Sequence, residues 1–454
     1  MARYVLIILI LFISIIRYRN DIQKRVNPHY LLLSTLIQFI PLSGIIYKFG
    51  SINTYSGIRL GATDDFFAID AIWIICIIII LFKPHTIPLS SRVEIKFNKQ
   101  TFIVFSILEI ISLFNPINNL HYTGLPTYIR IVQIILFLKI ISQYLTYKDI
   151  LTGLFDGFKW AVGLQFIITT LFPVLHVTFV SNLFRAEGSD WAFRRDIASA
   201  IGTFIHPGAL ALFCCMSAVF FFSCFLNKYK KKACKTNILM CIYIIFFTYS
   251  RTSYLTVIGG LLSVYIIYSN RKKIQIKTLI LFITGLLIVA VIFLFTPLSD
   301  MFFKSDIDTQ IENRELHFLL ALGCFHESPI LGVGINNHVN YLYHQFNTNL
   351  VGHVEEFFIT NPVHNSHLII LAETGIIGFS LWCFYFLSRI FKGFKYCIKM
   401  DQNINIINLA FAGSLIMYIT YGMTGWGCFH REIYPILIIM GFFTQFKIYR
   451  KNKI

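Results

Sequence analysis

The stretch KYKKKACKTNILMCIYIIFFTYSRTSYLTVIGGLLSVYIIYSNRKKIQIK, Lys228 to Lys277, decides what kind of fold this chain adopts. Two apolar arms meet at a short polar turn around Arg251, and both outer flanks are rich in lysine and arginine. Arms this apolar belong in a bilayer, where a helix satisfies its backbone hydrogen bonds internally. Basic flanks stay on the cytoplasmic side, so the turn that carries Arg251 points outward.

The same alternation runs through the whole chain. Its 454 residues are 56% apolar and only 13% charged. With a mean hydropathy of +0.68, a water-soluble protein of this composition would expose an aggregating surface. The apolar runs predict an all-α fold, a polytopic transmembrane helix bundle of about 12 to 13 spans. These fall near 4–16, 30–47, 66–82, 101–114, 128–146, 159–177, 203–226, 238–249, 254–268, 278–296, 368–390, 406–421 and 433–446. One long extracytoplasmic loop, 297–367, interrupts them, and no soluble domain is expected. The first run, Tyr4 to Ile16, is followed by Arg17, Arg19, Lys24 and Arg25 rather than by a small-residue cleavage site, so it reads as a span.

The net charge of +17 is an orientation signal rather than a nucleic-acid signal. Segments 17–28, 83–100, 147–159, 227–237, 269–277, 392–400 and 447–454 hold 26 of the 39 Lys and Arg residues and are read as cytoplasmic. The N-terminus, the 178–202 loop and the 297–367 loop then face outward. The expected location is the cytoplasmic (inner) membrane, multi-pass, with the outward loops in the periplasm or cell exterior. Membrane lipids are expected neighbours and nucleic acid is not. The ten cysteines are scattered without metal-site spacing and read as buried thiols.

Few cations face outward, and each needs an explanation. The two arms beside Arg251 have roughly 12 to 15 residues, about 18 to 22 Å of helix against a hydrocarbon core of about 30 Å, which predicts a guanidinium inside the outer leaflet. A charge there calls for a partner such as a lipid-borne phosphate; snorkelling to headgroups or pairing with a neighbouring carboxylate is the alternative. In FRAEGSDWAFRRDIASAIGTFIHPGALA, Arg185, Arg194 and Arg195 share one outward loop. Arginine suits phosphate because its planar fork donates paired hydrogen bonds. Glu187, Asp190 and Asp196 offer those arginines an ordinary solvated network instead.

The long loop holds seven of the thirteen histidines between His317 and His367. Glu312 to Phe325 reads as an amphipathic helix with Arg314 in its first turn, since Leu316, Leu319, Leu320, Gly323 and Cys324 recur at helical spacing. Pro329, Gly332 and Gly334 predict a turn at which backbone approaches a ligand or another helix. His364 directly precedes the 368–390 span, a position suited to proton abstraction from a sugar hydroxyl or, alternatively, to capping or a headgroup contact. His364 and His367 lack a third ligand at standard spacing, and neither HExxH nor paired CxxC occurs, so no metal is expected. Asp306-Ile-Asp308 resembles the DxD of metal-dependent glycosyltransferases, and Asp64-Asp65 falls on a first outward loop, where multi-span enzymes that use polyprenyl-phosphate sugars carry acidic residues; both are two-residue signals.

Four local patterns, in order, resemble the O-antigen ligase family and the O-antigen and capsular polysaccharide polymerases that share its C-terminal region. GTFIHPGALA, Gly202 to Ala211, resembles the stretch that opens a span after an arginine-bearing outer loop. SRTSYL, with Arg251 and Leu255, resembles the arginine-x3-leucine pattern. Arg314 followed by PILGVG resembles the large-loop pattern, with His317 where an aromatic such as tryptophan is common, a departure expected to weaken the helix contact. His364-Asn365, nine residues, Gly375 and Gly378 resemble the ligase His motif. On this reading 1–177 are N-terminal spans, 178–390 are the ligase-related region, and 391–454 are a C-terminal span hairpin and tail.

The resemblance implies a metal-independent, cofactor-free, inverting glycosyltransferase. Arg251 and Arg314 would hold the diphosphate of an undecaprenyl-diphosphate-linked glycan, with Arg185, Arg194 and Arg195 as further donor contacts. His364 would deprotonate the acceptor hydroxyl, and Asn365 would orient it or touch sugar. The expected acceptor is a lipid A core sugar, as in an O-antigen ligase of lipopolysaccharide biosynthesis. A growing glycan, as in a polymerase, is the alternative, and a polyprenyl-phosphate-sugar glycosyltransferase or a glycan flippase is a further one.

Overall fold

The computed structural model describes residues 2–24, 27–42, 47–48, 65–66, 94–95, 99–115, 117, 125–177, 193–194, 197–204, 206–272, 307–344, 362–399, 405–423, 425, 434–444 and 446–447. Within them the chain is a polytopic helical membrane protein. Thirteen α-helices run in the order α1 Ala2–Gln23, α2 Tyr30–Phe39, α3 Lys99–Phe114, α4 Leu125–Ser142, α5 Tyr147–Thr169, α6 Pro207–Leu226 and α7 Lys231–Phe247. They continue as α8 Arg251–Lys272, α9 Ile307–Glu327, α10 His338–His344, α11 Ser366–Lys399, α12 Asn405–Gly422 and α13 Tyr434–Phe442. Extended structure among the described residues is confined to three two-residue ladders. Among the described residues four stretches are long and apolar enough to cross a bilayer, 147–174, 207–226, 251–269 and 366–391, and two shorter apolar ones are 30–42 and 406–422. The expected spans 66–82 and 278–296 lie outside the described residues.

Helix α6 is the centre of the bundle. It starts with Pro207 at the position where a missing N–H costs nothing, and His206 caps it by accepting from the Gly208 N–H at 3.0 Å. It is apolar all round, as a helix with no water-facing side must be, and nearly all its side chains are buried against α5, α7, α8 and α12. Just before it, Thr203 ties the chain into the bundle: its N–H donates to Gln165 Oε1 at 2.9 Å, Gln165 Nε2 donates to its hydroxyl at 2.8 Å, and that hydroxyl donates to the Pro41 carbonyl at 2.6 Å.

One boundary in this part of the chain differs from expectation. The segment 147–159, read as a cytoplasmic stretch before a span at 159–177, is the first half of α5. Thr146 and Asp149 form a reciprocal capping box that starts the helix there. Gly153 and Gly157 then let α5 approach α2 so closely that a Cβ at either would lie 2.7 Å from the Tyr30 carbonyl or 2.9 Å from the Ser34 carbonyl. Its Asp156 meets Arg17 at 3.4 Å and Lys230 at 3.5 Å, so the segments 17–28, 147–159 and 227–237 gather at one end of the bundle.

The arms around Arg251 are also longer than expected, 17 residues for α7 and 22 for α8. Their helices continue into the lysine-bearing flanks, because lysine is a good helix former whose stem can lie along apolar surface. The 19-residue apolar stretch that begins at Arg251 is about 28 Å long at 1.5 Å per residue. Arg251 is thus the first residue of a stretch nearly as long as the hydrocarbon core is thick.

Helices α9, α10 and α11 form a second layer organised by a backbone-to-backbone contact. Helix α11 is interrupted at Gly375, which has φ +61. The interruption frees carbonyls that the GVG turn takes up: Val333 N–H donates to Ala372 O and Gly334 N–H to Glu373 O, both at 2.9 Å. In return Ile376 N–H donates to Pro329 O at 2.9 Å. Gly332, at φ +71, has no room for a side chain, since a Cβ would run into the backbone of Glu373 and Thr374. Helix α3 closes the turn from behind, with Ser112 Oγ accepting from the Ile335 N–H at 2.8 Å and Asn115 Nδ2 donating to the Gly332 carbonyl.

Replacing Gly332 with alanine is expected to destabilise the chain by about 3 kcal/mol, combining a left-handed backbone penalty with a backbone clash. Gly163, in α5 with nothing within 4 Å of its would-be Cβ, is the control: its alanine variant should be neutral or slightly stabilised. Thermal unfolding in detergent compares the two. Equal stability of both variants would contradict the interlock.

Candidate functional site

Several helix ends meet at the face opposite the basic segments. Gly260 packs against Met417 and Gly413 against Val264, so α8 and α12 run antiparallel. Continuing that register sets Arg251, the first residue of α8, about one turn past the end of α12, near Gly425. Helix α11 starts at the same level, because Ser366 N–H donates to Gly425 O at 3.0 Å. The start of α6 belongs here too, with Gly208 against the Tyr421 hydroxyl.

At this end a cavity of about 330 Å³ opens between α9 and the start of α11. Its polar wall is Arg314, Glu315, His317, His364 and Asn365. Its apolar wall is Phe318, Val363, Leu368 and Met423. Arg314 and His317 stand three residues apart on α9 and so share a face of that helix. Arg314 and His364 are both exposed, hence available to a ligand.

Asn365 fixes the loop that carries His364. Its Oδ1 accepts from the N–H groups of His367 and Leu368 at 3.0 and 3.1 Å, an N-cap arrangement, and its Nδ2 donates to Met423 O at 3.0 Å. His367 turns away from the cavity: its Nε2 lies 2.9 Å from Ile419 O and its ring packs on Trp382. Among the described residues no group of three His, Cys, Asp or Glu could hold a metal ion.

His317 stands where the resemblance leads one to expect an aromatic on the contact between helices. It is buried, and its ring lies 5.1 Å from that of His364 at an interplanar angle of 53°. Burial lowers its pKa to about 4, with charge on His364 and His338 adding to the effect. It is therefore neutral at pH 7. As pH falls from about 6.5 toward 4 the unfolded chain takes up a proton that folded His317 refuses, so stability should drop by about 2 to 3 kcal/mol over that window. His317→Phe should show a shallower loss of thermal stability between pH 7 and pH 4.5, and an unchanged slope would refute the assignment.

Sequence reasoning missed a buried pair between α10 and α11. His338 Nδ1 is 2.5 Å from Glu373 Oε1, and both side chains are buried. The available signal was Glu373 itself, a carboxylate inside the apolar run LIILAETGIIG.

Of the residues singled out in the sequence, Arg314, His364 and Asn365 line one cavity. Arg251 occupies the same end of the bundle but is not among the lining residues. Arg194 lies in the two-residue ladder that pairs Phe193–Arg194 with Ile197–Ala198. Arg185 and Arg195 lie outside the described residues, as do Asp64 and Asp306.

No curated protein matches the chain at a significant level. Residues 236–383 match the family model described as O-antigen ligase. That stretch runs from α7 through the cavity and the glycine interlock into α11, so this part of the chain, about a third of its length, is similar to the domain of that family.

Proposed function

We propose that this chain transfers an oligo- or polysaccharide from undecaprenyl diphosphate to an acceptor hydroxyl at the outer face of the cytoplasmic membrane. The observation that carries the reading is the cavity in which Arg314 and His364, an anion-binding fork and a base, face a common space. His364 takes the proton of the acceptor hydroxyl as its oxygen attacks the anomeric carbon. The bond from that carbon to the diphosphate breaks on the opposite side, so the configuration inverts. Arg314, with Arg251 at the same level, stabilises the charge that develops on the departing diphosphate. Fixed guanidinium charge thereby does what a divalent ion does elsewhere, and the reaction needs neither metal nor cofactor.

The acceptor we assign is a sugar of the lipid A core, because SRTSYL and the His364-Asn365 pattern both resemble ligase motifs. A growing lipid-linked glycan, the acceptor of a polymerase, is the competing assignment. Deleting the gene and examining surface glycans on a gel distinguishes the two. Bare core, with long polymer accumulating on the lipid carrier, indicates a ligase. Core carrying a single repeat indicates a polymerase, and unchanged glycans would sink both.

A further inference from the structure

We propose that Glu315 and Phe318 form the acceptor subsite of the cavity, and that the ring they hold is an uncharged pyranose with free neighbouring hydroxyls. The inference rests on the function proposed above and names the chemistry of its acceptor.

A second charge, opposite in sign to Arg314, lines the cavity. Helix α9 contributes Arg314, Glu315, His317 and Phe318 to the wall, at positions i, i+1, i+3 and i+4, which fall on adjoining strips of one helix face. His317 is the buried member, and the other three are exposed. Arg314 suits the diphosphate and His364 the acceptor hydroxyl, whereas a carboxylate repels a diphosphate. Among the described residues Glu315 joins no ion pair or hydrogen bond, so no contact within the fold calls for a carboxylate at this position.

A sugar does call for one. A carboxylate offers two acceptor oxygens and no donor, which matches a pair of neighbouring hydroxyls. Phe318 follows Glu315 by three residues, is 46% exposed, and shares the apolar wall with Leu368 and Met423. A pyranose has hydroxyls around its rim and C–H bonds on its faces, so its rim fits Glu315 while a face covers Phe318. Leu319 is exposed to the same degree, 45%, but is not among the residues that line the cavity.

Charge decides which of the two sugars Glu315 holds. Transfer builds negative charge on the departing diphosphate and positive charge on His364 as it takes the proton. A carboxylate opposes the first and favours the second. Glu315 therefore belongs with the acceptor, whose hydroxyl faces His364, and not with the ring bonded to the diphosphate. The same charge selects against an acidic acceptor, because two carboxylates sharing a cavity of about 330 Å³ repel one another. That volume is at the lower end of the range for small-ligand sites, about 300 to 1,000 Å³, which suits a sugar unit rather than a length of polymer.

The test uses the purified full-length chain in detergent, with lipid extract of the deletion strain as donor and lipid A core as acceptor, each varied in turn. Glu315→Ala should raise the KM for core about 10- to 100-fold, the range for lost hydrogen bonds to a charged group, with kcat and the donor KM within about threefold of wild type. Glu315→Gln keeps an oxygen and loses the charge, and should fall between. Phe318→Ala should raise the same KM about 3- to 10-fold, and Leu319→Ala should leave it unchanged. Methyl glucoside should compete with core, and methyl glucuronide, the same ring carrying a carboxylate, about 10-fold less well; Glu315→Gln should narrow that gap to about threefold or less.

An unchanged KM for core in folded Glu315→Ala overturns the proposal, as does a rise confined to the donor KM, or equal inhibition of the wild-type chain by the two glycosides. If Glu315→Ala does not fold, Glu315→Gln decides by the same criterion. His364→Ala is measured alongside. Full activity there, or no transfer to core by the wild-type chain, removes the proposed function and this inference with it. An inactive His364→Ala beside a Glu315→Ala chain with wild-type kinetics removes the acceptor subsite alone.

Discussion

His364→Ala should lower glycan transfer by about 10²- to 10⁴-fold, the range lost when a positioned base is removed, while the chain folds and accumulates as wild type. The second half of that expectation follows from the structure. His364 is exposed, and the helix behind it is capped by Asn365, whose bonds to His367, Leu368 and Met423 do not involve the imidazole. Removing the ring takes away its contact with His317 and leaves the Asn365 cap in place. Transfer measured by surface glycans in a complemented deletion strain, together with thermal unfolding of the purified variant, checks both halves. A folded His364→Ala chain with wild-type transfer would refute the base assignment.

Arg314→Ala should cost about 10²- to 10³-fold in kcat, comparable to deleting one donor from a site that stabilises developing negative charge. Arg314 is exposed on α9 and joins no ion pair among the described residues, so stability should change little. Arg314→Lys should recover part of the loss, because the charge returns without the planar fork that grips a phosphate through paired hydrogen bonds. The ordering wild type, lysine, alanine is the informative result. A lysine variant no better than alanine would mean that shape dominates over charge, and an alanine variant equal to wild type would remove Arg314 from the donor site.

Membrane placement was legible in the sequence because hydropathy and charge report directly on the solvent each segment prefers. So was the meeting of Arg314 with His364, since a family pattern records which distant residues share a site. Periodicity recorded less. The segment 147–159 carries Lys148, Asp149, Asp156 and Lys159 and so looks like a loop. A capping box and two glycines nevertheless make it helix, and Asp156 finds Arg17 and Lys230 only after the bundle assembles. The glycines of PILGVG and of the His364 motif look like two separate signals, yet they are the two sides of one contact, because each removes the side chain that would block the other's backbone. His338 and Glu373 are 35 residues apart and meet only because of that contact.

The central claim is that this chain moves glycan off a lipid diphosphate with its own arginines and histidine. The most direct measurement is release of undecaprenyl diphosphate by the purified full-length chain in detergent, given lipid extract from the deletion strain, lipid A core acceptor and a chelator. The account predicts one undecaprenyl diphosphate released for each glycan transferred, undiminished by the chelator and abolished in His364→Ala. Transfer that requires a divalent metal, or no release at all with donor merely redistributed across vesicle leaflets, would contradict it.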